Sequence, residues 1–268
     1  MTVKRKSPRE KHPVEVAVEG IKQEIIIEAL ETDTKQLITI PKEGGKIWVP
    51  KTDLGKKVVS GEITNIDQIL DKGMKIMEYQ IVDRLIPDLE VVLIEVGQSK
   101  GKFGGGKGSI WKQTQKKVRE GNRVKFSTLA FVGNRDGYVG IGFAGSKETV
   151  PAREKAIRTA KLNLIKVPRG CGGWACGCGQ PHSIPIATKG KEGSVIIILK
   201  PAPKGTGLSV EKKCQKLLQL AGIKDAYSKT FGQTSTRLNL MKACYNALKN
   251  LSNVKYKDEQ IKDMGIKV

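Results

Sequence analysis

The sequence predicts an α+β fold, and three observations carry that prediction. Residues 116–145 read as a strand–turn–strand hairpin with a basic approach. An alanine-led helical stripe follows without a break, and residues 183–251 read strand, strand, helix, strand, helix. No segment repeats another, which excludes a repeat array.

The hairpin is the clearest element. Val124, Phe126, Thr128, Ala130 and Val132 alternate with Lys125, Ser127, Leu129 and Phe131, giving an apolar side and a mixed side. Asn134-Arg135-Asp136-Gly137 supplies the turn, with Asp136-Gly137 expected to take the positive φ. Tyr138, Val139, Ile141 and Phe143 form the returning strand. Ahead of the hairpin, Lys116, Lys117, Arg119 and Arg123 surround Gly121-Asn122. A basic, glycine-bearing tip on a rigid sheet suits a phosphate backbone.

Ser146 is the expected cap of the following helix, in which Ala152, Ala156, Ala160 and Leu164 recur every four residues as a buried stripe. Arg153, Arg158 and Lys161 lie off that stripe, open to water or RNA.

Residues 1–15 are basic, contain proline and lack periodicity, so they are predicted to be disordered. Ile21–Leu30 is a short apolar stretch. Lys46–Leu54 reads as a strand entering a turn, Ile63–Leu70 and Met77–Ile86 as helices, and Val91–Val96 as a strand, with Pro87 ending the second helix. This first third is expected to be an extension or a weakly independent layer. Gly97–Gly108 is a glycine–lysine linker, expected to be mobile. Pro168–His182 forms a cysteine-rich loop. Ser183–Pro203 gives two strands parted by Gly190–Gly193, Val210–Ala221 a helix, and Ala226–Phe231 a strand. Ser235–Leu251 is a final helix with Leu238, Met241, Tyr245 and Leu248 on one face, and Lys255–Val268 a polar tail.

The net charge of +21 is unevenly placed: residues 1–96 sum to −2 and residues 97–268 to +23. A basic charge spread over a folded region points to nucleic acid. An anionic membrane surface is disfavoured because no amphipathic Trp/Phe/Leu-rich helix is apparent, and the apolar runs are strand-sized rather than membrane-spanning. The polar N-terminus has no signal-peptide character, and five cysteines cannot all pair within one chain. A reducing cytoplasm is therefore expected.

Two glycine motifs invite a nucleotide-enzyme reading. Gly101-x4-Gly106-Lys107-Gly108 nearly matches a phosphate-binding loop, but Gly108 stands where the magnesium-binding Ser or Thr belongs. Gly140-x-Gly142-x-x-Gly145 lies between a strand and a helix, yet the next segment, Ala160–Lys166, lacks the required acid. These glycines are read instead as relief for strand–helix crowding. His12 and His182 are the only histidines, no Cys–His–acid spacing stands out, and no enzymatic activity is expected. Cys171-x4-Cys176-x-Cys178-x3-His182 offers three thiolates and an imidazole, a set that suits tetrahedral zinc. Its Cys-x-Cys spacing is irregular for zinc, so the loop reads first as a reduced contact to RNA carrying Arg169. A structural zinc on Cys171, Cys176, Cys178 and His182 is the alternative.

WVPKTDLGK (48–56), EYQIVDRL (78–85), VREGNRVKFSTLAFVGNRDGYVGIGFAGSKE (118–148), PHSIP (181–185), GSVIIILKPAPKGTG (193–207) and LLQLAGIKDAY (217–227) stand in collinear order. Together they resemble the archaeal form of the small-subunit ribosomal protein five family, whose eukaryotic counterpart is small-subunit protein two. The resemblance implies an archaeal/eukaryotic-type extension over 1–96 and a double-stranded-RNA-binding-like domain over 97–166. The Cys/Gly-rich loop over 167–182, a split β-α-β domain over 183–251 and a polar tail over 252–268 follow. It also implies a non-catalytic, cytoplasmic, ribosomal role: binding small-subunit rRNA beside proteins four and eight, and supporting translational accuracy with protein four. The candidate rRNA-binding residues are Lys102, Lys107, Lys112, Lys116, Lys117, Arg119, Asn122, Arg123, Lys125, Arg169 and Lys204.

Overall fold

A computed structural model describes residues 48–98 and 108–267. The expectations for residues 1–15 and Ile21–Leu30, and those for Lys102, Lys107 and most of the glycine–lysine linker, lie outside the described residues.

Two antiparallel-dominated sheets organise the chain. The first has the order β1 (Glu90–Ile94), β3 (Gly121–Gly133), β4 (Tyr138–Ser146), β5 (Leu164–Lys166), and β2 (Lys112–Val118) also pairs with β3. The second has the order β6 (Thr188–Glu192), β7 (Val195–Pro201), β9 (Ala226–Phe231), β8 (Leu208–Ser209). β8 and β9 are parallel and are joined through helix α5 (Lys212–Leu220), whereas β6, β7 and β9 are antiparallel.

β3 is buried on both faces from Ser127 onward. Its even positions, Ala130 and Val132, meet Ala156 and Ala160 of α4 (Thr149–Leu162). Its odd positions, Leu129 and Phe131, join Ile94, Val139 and Ile141 in one core with Val195, Ile197 and Leu199 of the second sheet. The side expected to be mixed is therefore the seam between the two halves, since a two-sided core needs both parities apolar. The second half closes around α5 and α6 (Arg237–Ser252), whose Leu217, Leu218, Met241, Cys244 and Leu248 are fully buried.

Glycines on strands set the helix distances. A Cβ on Gly142 would lie 2.1 Å from the Ala156 carbonyl oxygen, and one on Gly190 2.1 Å from that of Ala243 in α6. Gly140, Gly142 and Gly190 thus let alanine-bearing helices ride directly on a sheet. Gly190 lies inside β6 for that reason, and the turn falls instead at Gly193.

Helix boundaries differ from expectation where local chemistry overrides the stripe. α4 begins after Glu148, which makes no side-chain capping bond, rather than after Ser146, and Leu164 has passed into β5 while keeping its buried place. Arg158 and Lys161 sit over the Tyr79 ring at 5.4 and 5.9 Å, and Lys161 also pairs with Asp83. They dock α4 to α3 (Tyr79–Leu85) instead of standing free. Of the strand expected at 46–54, the described residues 48–52 form no strand, and α1 (Asp53–Ser60) begins at Asp53, where the Thr52 hydroxyl accepts from the Gly55 N–H. The helix predicted over Ile63–Leu70 forms only from Asp67, as α2 (Asp67–Asp71). Ile66, Ile69, Ile81, Val82 and Leu164 fill a small core of this layer, with Ile63 half-buried against it. The polar tail is partly structured: α7 (Asp258–Asp263) forms, and Lys267 bridges to Arg169.

The hairpin turn is clamped between the halves. Arg135, not Asp136, takes the left-handed conformation (φ 58°), with Gly137 at φ 101°. Arg135 is held there by its side-chain bonds to Glu90 at 2.8 and 3.0 Å and by its N–H donating to the Leu220 carbonyl at 2.8 Å. Asp136 accepts from Lys267 at 2.8 Å and Arg169 at 2.6 Å, which hold its carboxyl below the ordinary aspartate range.

Two outcomes follow from this packing. Gly142→Ala and Gly190→Ala should each destabilise the chain by ~1–3 kcal/mol, because each methyl group meets helix backbone that cannot swing away; denaturant melts of the variants read this directly. Glu78 accepts from the Trp48 indole (2.8 Å) and from the N–H groups of Lys51 (2.8 Å) and Thr52 (2.7 Å). Burial opposes its ionisation, but these donors prevail and lower its carboxyl below the ordinary 4.5. Its contribution is thus complete above pH 4.5 and lost as pH falls through the lowered value. Acid titration should release segment 48–52 before the core unfolds, read as a shift in Trp48 emission that Glu78→Gln removes.

Candidate nucleic-acid interface

β2 is a strand that no hydrophobic alternation announces. All its residues except Val118 are exposed, and it exists by pairing with β3, from Lys112↔Ser127 to Val118↔Gly121. β4 begins its own pairing only at Phe126↔Ser146, so residues 121–125 are paired with β2 alone. The result is a two-stranded ribbon standing out from the sheet, closed at Arg119-Glu120.

Register decides which side chains share a face. Lys112, Thr114 and Lys116 lie opposite Ser127, Lys125 and Arg123, so four cations occupy one side of the ribbon. Gln113, Gln115 and Lys117 with Phe126, Val124 and Asn122 make the other. Lys116 is directly opposite Arg123, a like-charge pair that weakens a hairpin in water. No ion pair ties down Lys116, Arg119, Arg123 or Lys125 among the described residues. Where the ribbon meets the start of α4, a groove of about 550 Å³ is walled by Lys116, Arg123, Lys125, Lys147 and Lys155, with Glu148 the single acid on its wall. Lys147 and Lys155 are absent from the candidates read off the sequence, where nothing links helix lysines to a ribbon. This surface can bind a polyphosphate chain by charge, and the ribbon carries no exposed aromatic for stacking.

The structure thus gathers Lys112, Lys116, Lys117, Arg119, Asn122, Arg123 and Lys125 on one arm. Arg169, expected on an RNA surface, is buried instead: it is 6% exposed, and its guanidinium is engaged by Asp136 and the Arg135 carbonyl. It fastens the hairpin turn. Lys204 belongs to the second half, where its ammonium donates to Gln180 at 2.9 Å.

The cysteine-rich loop has its own geometry. The Sγ atoms of Cys171, Cys176 and Cys178 and a ring nitrogen of His182 all lie within 4.8 Å of one another. His182 and Asp225 are both buried, with Nδ1 2.8 Å from the carboxylate, while Nε2 lies 3.8 Å from Cys176 Sγ. This Cys–His–Asp alignment spans residues 176 to 225, too far apart for spacing to reveal it. The backbone N–H groups of Lys204 and then Cys178 pull the Cys176 thiol down to about 6. Burial pushes the Cys171 thiol up, and that thiol donates to the Cys176 carbonyl at 2.8 Å. Trp174, between the first two cysteines, is fully exposed.

Comparison with known proteins matches these two halves to one family. Residues 110–168 match the description "Ribosomal protein S5, N-terminal domain" and residues 190–262 "Ribosomal protein S5, C-terminal domain". The chain is similar to the small ribosomal subunit protein uS5 of Nanoarchaeum equitans, 49% identical over 218 residues, which are 81% of this chain and 94% of that protein. It is also similar to uS5 of Methanosphaera stadtmanae, 47% identical over 82% of this chain and 90% of the relative. Against uS5 of Staphylothermus marinus it is 45% identical over 79% of this chain and 92% of the relative. With near-complete coverage of these archaeal relatives and both domain descriptions in order, the chain belongs to the ribosomal protein S5 (uS5) family of the small subunit.

Proposed function

We propose that the chain is a non-catalytic structural constituent of the small ribosomal subunit that grips small-subunit rRNA with the β2–β3 ribbon, chiefly through phosphate. The observation that carries this is the face on which Lys112, Lys116, Arg123 and Lys125 stand together. A chain that sets Lys116 against Arg123 without an acid between them is built for a polyanion to neutralise.

On this reading residues 97–166 form the double-stranded-RNA-binding-like domain, supported by three antiparallel strands, β2, β3 and β4, backed by α4 on one face. Residues 183–251 form the split β-α-β domain, supported by the parallel β8–α5–β9 crossover. Residues 1–96 are the archaeal/eukaryotic-type extension, with β1 lent to the first sheet. Neighbouring proteins four and eight, and a part in decoding accuracy through protein four, rest on the likeness of the whole chain. Chemical cross-linking within purified small subunits tests them. The nucleotide-enzyme reading has lost its second motif, since Gly140 and Gly142 face helix backbone rather than open space. No binding of ATP or NAD is expected in equilibrium titration.

Salt dependence separates ribbon from scaffold. Lys116→Ala with Arg123→Ala should weaken binding to a small-subunit rRNA fragment and reduce the slope of log K against log salt by about 2. An unchanged slope at unchanged affinity would sink the proposal. Arg169→Ala should behave oppositely, lowering thermal stability by freeing Asp136 while leaving the slope where it was.

A further inference from the structure

We propose that Cys171, Cys176, Cys178 and His182 hold one structural zinc ion, with Asp225 as the carboxylate that orients His182. The irregular Cys-x-Cys spacing counted against zinc only while the loop's path was unknown. Among the described residues these four donors form the one cluster of His, Cys, Asp or Glu that could hold a metal ion. A tetrahedral ion with Zn–S near 2.3 Å and Zn–N near 2.0 Å sets its ligand atoms roughly 3.6–3.8 Å apart. Cys176 Sγ and His182 Nε2 stand at 3.8 Å, and the whole set lies within 4.8 Å, so sub-ångström shifts complete the shell.

The surroundings match what a zinc histidine needs. Asp225 accepts from Nδ1 at 2.8 Å and leaves Nε2 directed at the thiols. Asp225 is itself fixed, because its other carboxylate oxygen accepts from the Gly207 N–H at 2.7 Å. The His182 carbonyl accepts from the N–H groups of Lys224 and Asp225, and Ser183 donates to the Asp225 carbonyl at 2.6 Å. At the other end, the Cys171 N–H donates to Met264 and Gly170 pairs with Ser183. The ion would thus join the loop, the C-terminal tail and the edge of the second half at one point.

A rival use of the same atoms is a nucleophilic Cys176 activated by His182 and Asp225. A nucleophile needs one thiolate with open approach. Here two further thiols crowd the same imidazole within 4.8 Å, one of them buried. Four donors converging on a point serve a metal.

The experiment uses the full chain expressed in zinc-containing medium and purified without chelator. Native mass spectrometry should show one zinc per chain, and exchange for Co²⁺ should give the intense visible bands of a tetrahedral thiolate site. Maleimide should fail to label Cys171, Cys176 and Cys178 until a chelator is added. The core thiols Cys214 and Cys244 stay protected throughout and report that the fold persists. Asp225→Asn should weaken zinc binding by about 10–100-fold without abolishing it. Cys178→Ser, at an exposed position, covers the case in which Asp225→Asn unfolds the chain, and should lower zinc content in a folded protein. A chain that carries no metal and takes up none on zinc addition overturns the proposal. So does labelling of Cys176 at the same rate with and without zinc, which favours the nucleophile.

Discussion

β3 must serve three partners along thirteen residues, and the rest of the molecule takes its place from how it divides them. One edge is split between β2 on the first half and β1 on the second, while the other belongs to β4. A strand so used has no solvated face in its second half: its even side chains go to α4 and its odd ones to the second sheet. Leu129 and Phe131 are each fully buried, worth about 1.5–3 kcal/mol apiece against exposure. Their burial makes the seam part of a single core rather than a contact between surfaces.

The seam then dictates the polar clamps around it. Because the Asn134–Gly137 turn is pressed against the end of α5, Arg135 is held with positive φ, and Arg169, Lys267 and Glu90 must answer the charges on the turn. The far end of β3 has no second domain over it, so the same alternation that buries Leu129 and Phe131 leaves Arg123 and Lys125 exposed. Core and candidate interface are two stretches of one strand, distinguished by what covers them.

Much of this was legible in the sequence. The β3–β4 hairpin and the alanine stripe of α4 are written in strong periodicity, and the glycines of β4 proved to be packing residues, as their missing acidic partner suggested. β2 was not legible, because a ribbon wet on both faces needs no apolar alternation. Nor was the place of Arg169, whose burial depends on Asp136 thirty-three residues earlier and Lys267 at the chain's end. The four donors of the cysteine loop were all visible, but their convergence and the Asp225 carboxylate behind His182 are products of tertiary structure.

Lys116 facing Arg123 has a further meaning for the chain outside its particle. Between opposite charges, added salt screens an attraction and weakens it. Here the like charges of the paired ribbon repel one another, so salt eases a repulsion across the β2–β3 pairing. Bound to a polyanion, the same ribbon is released by salt. The arm therefore answers ionic strength in opposite senses before and after assembly.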